Sequence, residues 1–402
     1  MPRIMLCVNQ EENDVPYIFP ATGGEVYTFE EALYHIFSNW KEAAEGFICD
    51  EFILWVRDIL KLESLSSQIS ELAELDSPYE RLLKFLSLTG FYSHLELSQL
   101  KSEMEIWEGR LEWERHLSIG DMFMRKEEPQ KALSHYKKAL RVCGDSVSAH
   151  PGGGKSLKLL NNTGICLMRL GLFKEACLYL RAAYETGGAN IPVLLNYAEA
   201  LILDGEFERA FNYLKKAERP GERAEIDYLY GLLAQKSGNL TEAQNHYGRA
   251  IEAKECSFYS YALAKAYTKQ RKFNKALETL EQIKVKDREF FVNQAAVYDA
   301  FGDNAAAIKC TEKALFFGRK ENLSELWTLL SKYRRQNYEL DKAERAAAMA
   351  WYADKENKHA LFEMAKVKKA RGNYKDYRKN LEEILKLLKK EYRDSLDLRA
   401  GD

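Results

Sequence analysis

The chain has 402 residues, 46% of them apolar and 12% aromatic, which is enough to bury substantial cores and argues against disorder. A formal charge of −2 and a pI near 6.5 lack the basic footprint that neutralising nucleic-acid phosphates requires. No stretch approaches the roughly 18 apolar residues of a membrane span, so neither direct nucleic-acid binding nor membrane insertion is expected.

The charge is unevenly placed. Residues 1 to 110 hold 20 acidic and 8 basic side chains, leaving 41 acidic and 51 basic beyond. Two modules are therefore expected, an acidic one at 1–110 and a basic one at 111–396, with docking between them or onto partners favoured by the opposite signs. Seven cysteines (7, 49, 143, 166, 177, 256 and 310) stand singly, with no C-x-x-C pair. That pattern points to a reducing, cytoplasmic setting and to no metal site. The first residues show no basic region followed by an apolar run, so no secretory leader is expected.

In the acidic module, "MPRIMLCV" and "EVYT" flank the turn-forming "PATGG" and suggest a small β-hairpin. Thr28 with Glu31 forms a capping-box pattern ahead of "ALYHIFSNW". In "FICDEFILWVRDIL", Ile48, Phe52, Ile53, Trp55, Val56, Ile59 and Leu60 share a broad helical face, and Ser77 caps "PYERLLKFLSLTG". A mainly helical head follows from these signals.

Beyond residue 110 a period takes over. A small residue early in each second helix recurs at Ala132, Ala176, Ala210, Ala243, Ala276, Ala307 and Ala343, with Tyr377 in the last equivalent place. The spacings are 44, 34, 33, 33, 31, 36 and 34. Gly164, Ala198, Gly231, Ala264 and Ala295 let paired helices approach, while Tyr247, Tyr267 and Phe273 fill the gaps. Glycines 171, 205, 238, 302 and 372 fall in the turns, and Arg271 and Tyr338 replace the turn glycine twice. A Lys- and Glu-rich helix from about Tyr374 to Arg393 would cap the end of the stack.

Over roughly residues 111 to 390 this pattern resembles the tetratricopeptide repeat, a helix-turn-helix unit of about 34 residues. The resemblance implies an all-α fold, a right-handed α-solenoid of seven to eight hairpins behind the head. The stretches Pro16-Tyr17-Ile18-Phe19-Pro20 and Val26-Tyr27-Thr28-Phe29-Glu30-Glu31 make the head similar to the leading segment of some uncharacterised bacterial tetratricopeptide-repeat proteins. That second likeness implies no activity.

Chemistry is sparse. "AHPGGGKS" (149–156) fits a relaxed phosphate-loop pattern, but a phosphate loop needs a preceding buried strand, whereas "KALSHYKKALRV" reads as a second helix. The segment belongs instead to a long inter-repeat loop, about 144–156. No nucleophile elbow, H-E-x-x-H helix or dinucleotide fingerprint is present. His116, Cys166 and Cys177 stand at positions expected to pack in the core. No enzyme activity and no cofactor are expected.

Binding is better supported. Asn162, Asn196 and Asn293 each precede the small first-helix residue by two. By the resemblance, asparagines here hold the backbone of an extended ligand; equally, each amide could satisfy a neighbouring group of its own chain. Leu229 and Ala262 interrupt the ladder. Lys265, Lys332, Arg335, Lys366 and Lys369 are expected on or near the same stripe, favouring an acidic segment, with a solvated charged face as the competing reading. Receptors of chaperone tails in this family use a clamp of lysines, asparagines and arginine. Here Leu117 and Asp121 occupy two of its places and Asn162 alone matches; one repeat on, Asn161, Ile165 and Asn196 are followed by Glu225 and Leu229. Chaperone C-terminal tails are therefore not expected partners. The expected function is a non-enzymatic adaptor or scaffold binding protein or peptide in its concave groove; the alternative is a peptide-sensing signalling regulator whose head acts on a partner protein.

Overall fold

The computed structural model describes residues 15–44, 46–143, 154–187, 190–218, 223–317, 323–355 and 357–400, without the side chains of 154–156 and 390–400. The chain divides into two compact units, Met1–Gly188 and Ala189–Asp402. Helices dominate both.

The first unit opens with a two-stranded antiparallel ribbon, β1 (Tyr17–Ile18) and β2 (Glu25–Val26), pairing Tyr17 with Val26. The partner of the "EVYT" strand is thus Tyr17–Ile18; Met1–Val8 lies outside the described residues. α1 (Phe29–Ser38) starts at the expected capping box: Thr28 Oγ1 accepts from the Glu31 N–H at 3.2 Å, and Glu31 Oε2 accepts from the Thr28 N–H at 3.3 Å. These bonds satisfy donors that every helix start leaves orphaned. α2 (Trp40–Ala43) and α3 (Asp50–Leu54) follow, and α3 runs into a π-helical turn at Trp55–Ile59. α4 (Glu63–Leu72), α5 (Pro78–Ser87, capped by Ser77) and α6 (His94–Glu108) complete the head.

Aromatic rings fill the head. Phe52, fully buried, meets Tyr17, Trp55 and Phe85 at centroid distances of 5.0, 5.9 and 5.9 Å. Of the face expected in "FICDEFILWVRDIL", Phe52, Trp55 and Val56 are buried, whereas Ile48, Ile53, Ile59 and Leu60 are only half-buried. Polar tips of the buried rings are satisfied: Trp107 donates its indole N–H to the Tyr79 hydroxyl at 2.8 Å, and Trp55 donates to the Val15 carbonyl at 3.1 Å. Two helical hairpins belong to the same unit, α7 (Glu112–Arg125) with α8 (Pro129–Cys143), and α9 (Gly154–Arg169) with α10 (Phe173–Gly187).

The second unit is six further hairpins. The pairs are α11 (Ile191–Asp204) and α12 (Phe207–Ala217), α13 (Arg223–Lys236) and α14 (Leu240–Ala253), and α15 (Ser257–Lys269) and α16 (Phe273–Glu281). Then come α17 (Arg288–Phe301) and α18 (Asn304–Phe316), α19 (Leu323–Gln336) and α20 (Leu340–Ala353), and α21 (Lys358–Ala370) and α22 (Tyr374–Ala400). Each second helix packs on the next first helix, and first helices also touch one another, α11 on α13, α15 on α17 and α19 on α21.

The periodic alanines explain why these helices stack. Ala132, Ala176, Ala210, Ala243, Ala276, Ala307 and Ala343 are all 0% exposed, so any larger side chain there would force the hairpins apart. Tyr377, the last of the series, is only half-buried. Where glycine is missing from the turns, the backbone does not change: Arg271 and Tyr338 hold φ of 59° and 60°, in the left-handed region that turn glycines such as Gly205 occupy.

Candidate binding surface

First helices that touch along a row bring their stripes side by side, and the residues singled out by spacing lie on those helices. Asn162 lies on α9 in the first unit, Asn196 and Asn293 on α11 and α17 in the second. Lys265 is on α15, Lys332 and Arg335 on α19, and Lys366 and Lys369 on α21.

Most of these groups already have partners within the chain. Asn162 donates its amide to Asp121 Oδ1 at 2.8 Å, and its own oxygen accepts from Asn161 at 3.3 Å. The Asn293 amide returns to its own helix, donating to the Glu289 carbonyl at 2.8 Å. Asn196 is half-buried. Lys332 donates to Asp299 Oδ2 at 2.6 Å. Glu363, its side chain 8% exposed, accepts from Arg335 at 3.0 Å and from Lys366 at 2.7 Å. All three cations are therefore paired, Arg335 and Lys366 sharing the one charge of Glu363, and a ligand would have to displace Asp299 or Glu363. Lys369 is exposed, its ammonium 5.8 Å from the Tyr377 ring centroid.

Unneutralised positive charge gathers elsewhere. Lys236 ends α13, and Lys265 and Lys269 stand one turn apart on α15; all three are exposed. Desolvation, and then repulsion from Lys265 and Lys236, lowers the Lys269 ammonium below its ordinary range. No carboxylate pairs with any of the three among the described contacts. Sequence reasoning found Lys265 but passed over its neighbours, although a signal existed: Lys236 and Lys269 are 33 residues apart, one repeat.

The histidine and cysteine positions divide. Cys166 is fully buried, its thiol donating to the Pro129 carbonyl at 3.0 Å, and burial pushes it up to about 12, which makes it inert. Cys177 is only half-buried, so its expected core position is not reached. His116 is not simply core either: its Nδ1 lies 3.3 Å from His135 Nδ1, its Nε2 3.9 Å from Glu112. Of "AHPGGGKS", residues 149–153 lie outside the described residues. Lys155 and Ser156 fall in the first turn of α9, and the element before is helix α8 rather than a strand.

The sequence profile of the tetratricopeptide repeat matches residues 260–290, which span α15, α16 and the start of α17. That match falls on one unit of the array of stacked hairpins. That stretch is a tetratricopeptide repeat. Among solved structures, yeast Tom70 is 16% identical with a TM-score of 0.56, over 91% of this chain and 89% of that one. At that identity the likeness is one of fold. A tetratricopeptide repeat protein from Parabacteroides merdae is 21% identical over 64% of this chain and 98% of its own, with a TM-score of 0.45. The sequence matches none of the curated proteins. The eight hairpins among the described residues share one helix-turn-helix build, and their small first-helix residues are packing positions: a Cβ on Gly231 would stand 2.6 Å from Tyr247 Cδ1.

Proposed function

We propose that the chain is a non-enzymatic, cytoplasmic adaptor whose tetratricopeptide repeats bind an extended, acidic segment of a partner protein along the first helices of the second unit. In this reading residues 1–110 are a head domain and 111–396 the repeat array. The observation that carries it is the lysine patch. Lys265 and Lys269 stand one turn apart on α15, near enough to Lys236 for repulsion, with no acidic partner among the described residues, whereas Lys332, Arg335 and Lys366 are already paired within the chain. Unpaired, converging cations are what an acidic ligand relieves, raising on-rate and selectivity more than bulk affinity. Asn196 on α11 and Asn293 on α17 flank α13 and α15 in the chain order of first helices and would supply backbone hydrogen bonds by exchanging the contacts they make within the chain, for Asn293 its bond to Glu289.

The test is a titration of the intact chain with a fluorescently labelled, extended acidic peptide, followed by anisotropy at two salt concentrations. The reading predicts saturable, salt-sensitive binding that weakens about tenfold, or about 1.4 kcal/mol, when all three lysines become alanine. Binding that ignores the triple substitution but is lost with Lys369→Ala would move the site to the α21 end and reject this one.

A further inference from the structure

A cleft of about 570 Å³ lies within the first unit, walled by the head on one side and by α7 and α8 on the other. Its size suits a small organic molecule. Four basic side chains line it, Lys41, Arg115, Lys131 and Lys138, against two acidic ones, Glu42 and Glu112. With the imidazoles counted neutral, that is an excess of two positive charges. Lys131 is spoken for, donating to the Thr22 carbonyl at 2.9 Å and pairing with Glu128 at 2.6 Å. Lys41 lies 5.1 Å from the Trp107 ring centroid. Arg115 and Lys138 have no carboxylate partner among the described contacts.

Two features show that the cleft is a built site rather than a chance gap. His116 and His135 meet Nδ1 to Nδ1 at 3.3 Å on its wall, so one ring must donate and the other accept, which fixes both. Burial, then the neighbouring His116 and Lys138, lowers His135 to about 4 and keeps it neutral. Glu42 is the second feature. Its side chain is 3% exposed, its Oε1 has no hydrogen-bond partner among the described residues, and Lys126 is 3.8 Å away. Buried polar atoms are nearly always bonded, so an orphan lining a cleft marks where a ligand's donor goes. Burial raises the Glu42 carboxyl, an effect that Lys126 only partly opposes.

We propose that this cleft binds a small phosphomonoester, its phosphate dianion held by Arg115, Lys138 and Lys41 and an N–H or O–H of its organic part received by Glu42. With Lys131 paired to Glu128, Lys41, Arg115 and Lys138 are the cations left to the cleft, and a dianion draws on them more strongly than a monocarboxylate does. A guanidinium and two ammonium groups lining one cleft offer the many donors that a tetrahedral oxyanion accepts. Glu42 then discriminates by rejecting phosphates that bring no donor.

The experiment is calorimetric titration of the full chain with 2-aminoethyl phosphate, ethyl phosphate and β-alanine. Saturable binding is expected in that order of affinity, with ethyl phosphate at least threefold weaker and β-alanine at least tenfold weaker. The double variant Arg115→Gln/Lys138→Gln should lose at least tenfold for both phosphates. Both side chains lie outside the core, and an unchanged thermal midpoint confirms the fold. Glu42→Gln should abolish the preference for 2-aminoethyl over ethyl phosphate, and Lys265→Gln/Lys269→Gln should change nothing. Absence of saturable binding by either phosphate, β-alanine binding as tightly as the phosphates, or retained affinity in the Arg115/Lys138 variant would overturn the proposal.

Discussion

Asn162 donates its side-chain amide to Asp121 Oδ1 at 2.8 Å, linking two successive first helices, α7 and α9, of the first unit. Asp121 also accepts from the Tyr136 hydroxyl at 2.8 Å and from Lys158 at 3.0 Å. An asparagine whose spacing suggests a ligand contact is thus also a tie between repeats. Asn162→Ala should cost about 1–2 kcal/mol of stability, because Asp121 loses a bond in a half-buried site. Asn293→Ala should cost less than about 0.5 kcal/mol, since its amide only returns to its own helix. Urea unfolding of both variants checks the contrast.

Glu363 carries the charge balance of the last two first helices. Glu363→Gln leaves Arg335 and Lys366 facing each other across a weakened acceptor, and about 1–3 kcal/mol of destabilisation is expected. Replacing the better exposed Lys366 by Ala should cost well under half as much. Thermal unfolding distinguishes the two.

Strain at the glycine-less turns is recoverable. Arg271→Gly and Tyr338→Gly should each stabilise the chain by about 0.5–1 kcal/mol, since an L-residue at positive φ pays a penalty that glycine does not. The gain should appear in the denaturation midpoint without a change in its slope.

Two helix glycines should respond in opposite directions to alanine. Gly231→Ala brings a Cβ against the fully buried Tyr247 ring, so a net loss of about 1 kcal/mol is expected after the gain in helix propensity. Gly248, on α14, meets nothing within 4 Å, and Gly248→Ala should gain about 1 kcal/mol. Chemical denaturation of the pair reads both signs.

His135 gives an acid limit. Its folded pKa of about 4 lies below the ordinary 6.5, so the unfolded chain binds the extra proton first as pH falls. The stability it contributes is complete above about pH 6.5 and is lost progressively towards pH 4. His116, Lys131, Lys138 and Glu112 share its surroundings in the cleft. Replacing His135 by Gln should flatten the urea midpoint against pH across that window relative to the unsubstituted chain.

The fold was largely legible because its determinants are local and periodic. The buried alanines recur near every 34 residues, and Thr28 with Glu31 caps a helix through atoms three residues apart. The partners of the candidate site were not legible, because they come from adjacent repeats. Asp299 stands 33 residues before Lys332, and Glu363 stands 28 after Arg335. Reading one stripe at a time counts the cations and misses the acids that quench them. The His116–His135 contact is hidden for a similar reason, since it depends on how α7 and α8 face one another across a hairpin.

The central claim, that Lys236, Lys265 and Lys269 receive an acidic segment, is tested most directly by reversing charge. Lys265→Glu/Lys269→Glu should abolish anisotropy-detected binding of an acidic extended peptide and create measurable binding of its lysine-substituted counterpart, with both effects fading at high salt. Undiminished binding of the acidic peptide by the doubly reversed chain would contradict the account.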